Sequence, residues 1–172
     1  MTIRTNAALQ TLFADNTTGA ISPQDLRDFL DSVMGVYGSI LLTSGSTGQT
    51  VANGVPEKMT EWSSNGVNVG CTPAFGSNQI TIDNAGVYEI AFQMSFDGVT
   101  GDTFQFTLYN NGSPVSPVLG CRRKTGTADV GSCSFIGQLT LAATDTLSIW
   151  VESDANGTPV WRDAQMTVKR IG

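Results

Sequence analysis

Histidine is missing altogether from these 172 residues. Its absence removes Ser-His-Asp and Cys-His nucleophile arrangements, His-ligated zinc, and the commonest acid–base side chain. Cysteine is scarce: Cys71, Cys121 and Cys133 are too few for a four-thiolate metal centre and too sparse for a disulfide scaffold. They read as free, small, mostly buried residues of a chain made in a reducing cytoplasm, with a Cys121–Cys133 bridge across a hairpin as the alternative. Charge is low as well, 14% of residues, which opposes intrinsic disorder. No apolar run reaches the roughly 18 residues of a membrane-spanning helix. The opening "MTIRTNAALQTLFADN" lacks the apolar core and cleavage site of a secretory signal.

The few charges present are mostly acidic, for a net charge of -6, which argues against a nucleic-acid partner. The one basic cluster, Arg122-Arg123-Lys124, reads as a solvated hairpin tip. Asp97, Asp102, Asp145, Glu152 and Asp154 fall at strand ends, where solvated turn acids belong, so no catalytic residue, metal or cofactor is expected. The glycine-rich "SGSTGQT" (44 to 50) has no Lys-Ser/Thr pair after it and reads as a linker rather than a phosphate cradle.

What is there divides into two parts. Residues 1–35 hold an arm and one helix. Ser22 suits an N-cap, Pro23 the first helical position, and Asp25 the acid of a capping box. Leu26, Phe29, Leu30, Val33 and Met34 then recur at helical spacing, and Gly35 stands where a C-cap belongs. Such a helix is too short to persist alone in water, so its apolar stripe must be covered by something else.

From residue 36 to 172 the period is two. In "GVYEIAFQMSFDG" (86 to 98), Tyr88, Ile90, Phe92, Met94 and Phe96 face one way and Glu89, Gln93 and Ser95 the other. Residues 103–112 repeat the pattern with Phe104, Phe106 and Leu108 and close on Asn-Asn-Gly. Two strands flank Ala143-Thr144-Asp145, the second with Leu147, Ile149 and Val151 inward, and a last strand places Met166 and Val168 inward. Shorter strands are expected at 35–43, 59–62 and 79–82. Strict alternation implies antiparallel sheets with one face on a core, and about eight short strands imply a sandwich or jelly roll.

The order of these motifs resembles a known family. Gly86-Val87-Tyr88 opens a long alternating strand, the next strand ends at Asn111-Gly112, a Leu-Thr-Leu…Asp-Thr-Leu pair runs from Leu139 to Leu147, and an apolar strand closes the chain. Over residues 36–172 this resembles the trimeric jelly roll of tumour necrosis factor and the complement component one q globular head. The resemblance implies a homotrimer. Tyr109 and Trp150 fall on the non-core faces of their strands and are the expected trimer-interface residues, because aromatic side chains concentrate at interfaces. Trp161 belongs either to a ligand-facing loop or to the core.

The front of the chain resembles something different. "ADNTTGAISPQDLRDFLDSV" is similar to a stretch near the N-terminus of tailed-phage structural proteins. That resemblance implies virion attachment through Leu26, Phe29, Leu30 and Val33, with the major capsid protein or another virion protein as partner. The expectation is therefore a trimeric capsid decoration (cement) or head-fibre knob protein, made in host cytoplasm and located on the virion. The alternative is the receptor-binding tip of a tail fibre, lectin-like, with host surface polysaccharide as its ligand.

Overall fold

The computed structural model describes residues 35–172, except 46 and 127–129, together with Ser22, Asp25, Leu26 and Phe29. Among these, twelve strands form: β1 (Tyr37–Leu42), β2 (Glu57–Lys58), β3 (Ser64–Val69), β4 (Cys71–Ala74), β5 (Gln79–Ile82), β6 (Gly86–Asp97), β7 (Thr103–Asn110), β8 (Ser113–Pro114), β9 (Gly120–Lys124), β10 (Val130–Leu141), β11 (Thr146–Ser153) and β12 (Val160–Arg170). They make two sheets. One has five strands in the order β10-β6-β12-β1-β3. The other runs β4-β5-β11-β7-β8, with β2 on β11 and β9 on β7. Every pairing between these strands is antiparallel. From β6 onward the chain passes repeatedly from one sheet to the other, and the result is an antiparallel jelly-roll sandwich.

The alternation in the sequence explains the core directly. Tyr88, Ile90, Phe92, Met94 and Phe96 from β6 meet Phe104, Phe106 and Leu108 from β7, and all are buried. Phe96 packs edge-on against Phe104, Phe106 and Trp161 at centroid distances of 5.6, 5.3 and 5.9 Å, an arrangement favoured by the ring quadrupoles. Trp161 is therefore a core residue on β12, fully buried, and not part of a ligand-facing loop.

Turn chemistry closes the strands. Asn111 and Gly112 both have positive φ (50° and 76°), as a two-residue hairpin turn needs. Between β10 and β11 the strained residue is Thr144, at φ 76°. Asp145 holds that turn: its carboxylate accepts the Ala142 N–H at 2.9 Å and the side-chain amides of Asn110 (3.1 Å) and Asn111 (2.8 Å). Burial pushes the Asp145 carboxyl up, but these hydrogen bonds outweigh it and leave the group below the ordinary carboxylate range.

Three expectations are corrected. Residues 59–62 form no strand; Met59 and Trp62 are buried in the link between β2 and β3. Arg122-Arg123-Lys124 is not a hairpin tip but part of β9, paired along β7 from Thr103↔Lys124 to Thr107↔Gly120. Cys121 and Cys133 are not free. They form a disulfide with Cα atoms 5.9 Å apart, and since β9 and β10 lie in different sheets, the bond ties the two sheets together rather than spanning a hairpin. Cys71 is free and buried, its thiol pushed up to about 12 chiefly by burial and secondarily by Asp83.

Candidate interaction surfaces

At the front of the chain, Asp25, Leu26 and Phe29 are helical. The Ser22 hydroxyl accepts the Asp25 N–H (3.2 Å), while the Asp25 carboxylate accepts the Ser22 N–H (2.9 Å) and O–H (2.7 Å). This reciprocal exchange is the capping box that the sequence implies. Leu26 is 53% exposed and Phe29 half-buried. Pro23, Leu30, Val33 and Met34 lie outside the described residues.

Tyr109 and Trp150 occupy the outer face of the seven-stranded sheet. Their rings stack on each other, centroids 4.5 Å apart and planes 14° from parallel, across the β7–β11 pair. The Trp150 indole N–H donates to Ser148 Oγ at 3.0 Å, so its polar edge is satisfied within the chain. Beside the pair, register places Glu152 opposite Gln105 and Gln105 opposite Arg122. The Tyr109 hydroxyl is shifted upward by partial burial and then by the Glu152 charge.

The outer face of the five-stranded sheet is quite different, and the sequence reading did not single it out. One row across it reads Ser39, Thr167, Ala91, Ile136. The next reads Leu41, Gln165, Gln93, Ser134. Neither row holds a charge. Charged side chains return only at the margins, with Lys169 opposite Glu89 at one end and Asp163 at the other. Ile136 is 64% exposed within this face, and two adjoining hollows of about 530 and 480 Å³ share Gln93, Ser134 and Gln165. A solvated antiparallel sheet ordinarily carries long charged side chains outward, and the two central rows of this face carry none. The signal lay in the outward residues of β6, which lose charge after Glu89 and run Ala91, Gln93 and Ser95 where Lys or Glu would be ordinary.

Among the described residues, no group of three or more Asp, Glu or Cys converges to hold a metal ion, and no helix is long and apolar enough to cross a membrane.

A tumour necrosis factor, Eiger, from S. frugiperda superposes with a TM-score of 0.58 at 14% identity, covering 80% of this chain and 93% of that one. The globular domain of the zebrafish complement 1qA protein gives 0.57 at 18% identity over 80% and 98%. Murine APRIL gives 0.57 at 12% identity over 80% and 99%. The fold is the tumour necrosis factor jelly roll. At these identities the likeness concerns the fold alone. No protein-family model and no curated protein sequence matches the chain.

Proposed function

We propose that this chain is a virion structural protein, a homotrimeric capsid decoration or head-fibre knob whose jelly roll is displayed on the particle and whose residues 1–35 fasten it there. The observation that carries the oligomeric head is the uncharged outer face of the five-stranded sheet. Such a face can be covered without desolvating a charge: its hydroxyls and amides both donate and accept across a contact, and Leu41, Ala91 and Ile136 gain from burial. The count of three follows the trimeric family that the motif order resembles. This reading moves the subunit contact from Tyr109 and Trp150 to the rows around Ala91 and Gln93.

Attachment rests on the "NTTGAIS…LRDFLDSV" wording and on a capped helix whose Leu26 is more than half exposed. Apolar burial of Leu26, Phe29, Leu30 and Val33 against a capsid protein supplies the fastening, with little salt dependence because so few charges take part. The test compares the full chain with a truncation beginning at Gly35. The truncated protein should remain soluble, oligomeric and cooperatively melting, yet no longer bind particles that lack the native protein. Phe29→Asp in the full chain should abolish attachment without changing the melting temperature of the head. A truncation that aggregates or fails to oligomerise would show that the helix belongs to the head, and the attachment role would fall.

A second reading, a receptor-binding tip, is favoured by one observation: the stacked Tyr109–Trp150 pair lies on the sheet face opposite the uncharged one.

A further inference from the structure

The outer face of the seven-stranded sheet combines two features that lie outside the buried core. The first is the stacked pair of Tyr109 and Trp150, both only half-buried. Ser148 satisfies the indole N–H, so the further contacts Trp150 can offer are those of its ring carbon. The second is the polar row Glu152, Gln105, Arg122 on three adjacent strands. Among the described residues, the side chains of Glu152 and Arg122 make no hydrogen bond or ion pair, although the Arg122 charge acts on Asp154, and the Gln105 side chain uses only its amide nitrogen, on Thr107 Oγ1 at 3.4 Å. Neighbouring strands lie about 4.8 Å apart, so the acid and the guanidinium stand roughly two strand spacings from each other with the amide between.

We propose that these five residues form a binding site for a neutral hexose unit of a polysaccharide. A pyranose presents a C–H face that packs on aromatic carbon and a rim of hydroxyls that both donate and accept. The open aromatic surface suits the former. Glu152 supplies acceptors, Arg122 supplies donors in a planar fork, and Gln105 Oε1 supplies a further acceptor. Within the row one acid faces one base, and around it Lys58, opposite Trp150 on β2, and Asp154, on which the Arg122 charge acts, add one charge of each sign. An anionic polymer would meet the Glu152 carboxylate and a chain of net charge -6, so the ligand class is neutral. Apolar contact area with a few convergent polar groups is the usual make-up of a small-molecule site. This site stands on its own observations and does not depend on the attachment role of residues 1–35.

Tryptophan fluorescence reads the site selectively, because Trp62 and Trp161 are buried (5% and 0% exposed) and Trp150 is not. The full chain is titrated with cellohexaose, mannohexaose and dextran, with heparin as the anionic probe, and binding is repeated by calorimetry. At least one neutral probe should give a saturable change in emission. Trp150→Ala and Glu152→Gln should each weaken that binding at least tenfold, with the melting temperature of Glu152→Gln unchanged. Should Trp150→Ala fail to fold, the half-buried, isosteric variant Glu152→Gln decides alone. No response to any neutral probe would overturn the proposal, as would binding of heparin only or binding that survives both substitutions. A fall in oligomer mass on Trp150→Ala would overturn it too, since the rings would then be a subunit contact.

Discussion

The indole N–H of Trp161 donates to Gln49 Oε1 at 3.4 Å, joining the largest fully buried side chain to a loop residue 112 positions away. The same oxygen accepts the Thr60 N–H at 3.1 Å, and the Gln49 amide donates to the Lys58 carbonyl at 2.8 Å. One half-buried amide thus satisfies polar groups from β12, from β2 and from the link that follows β2. Burying such groups without partners costs about 1–3 kcal/mol each. Gln49→Ala should therefore destabilise the head by roughly 1–3 kcal/mol in denaturant unfolding. A loss below about 0.5 kcal/mol, the level of an ordinary surface substitution, would show that water replaces the amide without penalty.

The Cys121–Cys133 bond should contribute measurably to stability. It closes a loop with a sequence separation of 12, for which restriction of the unfolded chain gives about 3 kcal/mol. Unfolding with and without reductant, and of Cys133→Ser beside the native protein, checks this. Reduction and Cys133→Ser should lower stability alike, since both untie the same pair of sheets. Identical melting curves with and without reductant, at full reduction by thiol assay, would contradict it.

Asp145 predicts a pH dependence of fixed sign. Its carboxyl is held below the ordinary range in the folded chain, so the folded state binds the proton less readily than the unfolded one. The stabilisation is present in full above the unfolded value of about 3.9 and is lost as pH falls through the lower folded value. Asp154, fully exposed, shifts in the same direction through its hydrogen bonds to Thr103. Asp145→Asn should flatten the acid limb of a stability–pH curve while lowering stability at neutral pH. A variant whose acid limb is as steep as the native one would place the titration elsewhere.

Legibility in the sequence followed apolar content. β6, β7 and β11 were readable because large residues alternate with polar ones along eight or more positions. β3, "SNGVNV", and β9, "GCRRK", were not readable, because edge strands bury little and so carry no inward row of large residues. The disulfide was legible only as the alternative to free thiols, and for a related reason its setting was misread: with β9 unseen, a Cys121–Cys133 bond looked like a bridge across a hairpin rather than one between sheets. Tyr109 and Trp150 were correctly placed outside the core, but their stacking depends on diagonal register between β7 and β11, which alternation does not encode. The uncharged face is harder still: Ser39, Ala91, Gln93, Ser134 and Gln165 come from four strands, and each is unremarkable until the sheet assembles them.

The core itself should respond as a packed interior. Phe92, 2% exposed, lies against Phe106 and Phe135 at centroid distances of 6.0 and 5.3 Å. Phe92→Ala should cost on the order of 3–5 kcal/mol. A cost of less than 1 kcal/mol in denaturant unfolding would mean that β6 faces the other way.

The central claim is that copies of this chain cover the outer face of the five-stranded sheet. Light scattering on the purified full chain at micromolar concentration, beside Ala91→Arg, tests it most directly. The account predicts three times the 18.2 kDa chain mass for the native protein and a folded species of single-chain mass for Ala91→Arg, whose guanidinium would sit in the middle of the contact. A native protein that stays monomeric, or an Ala91→Arg variant that still trimerises, would contradict it.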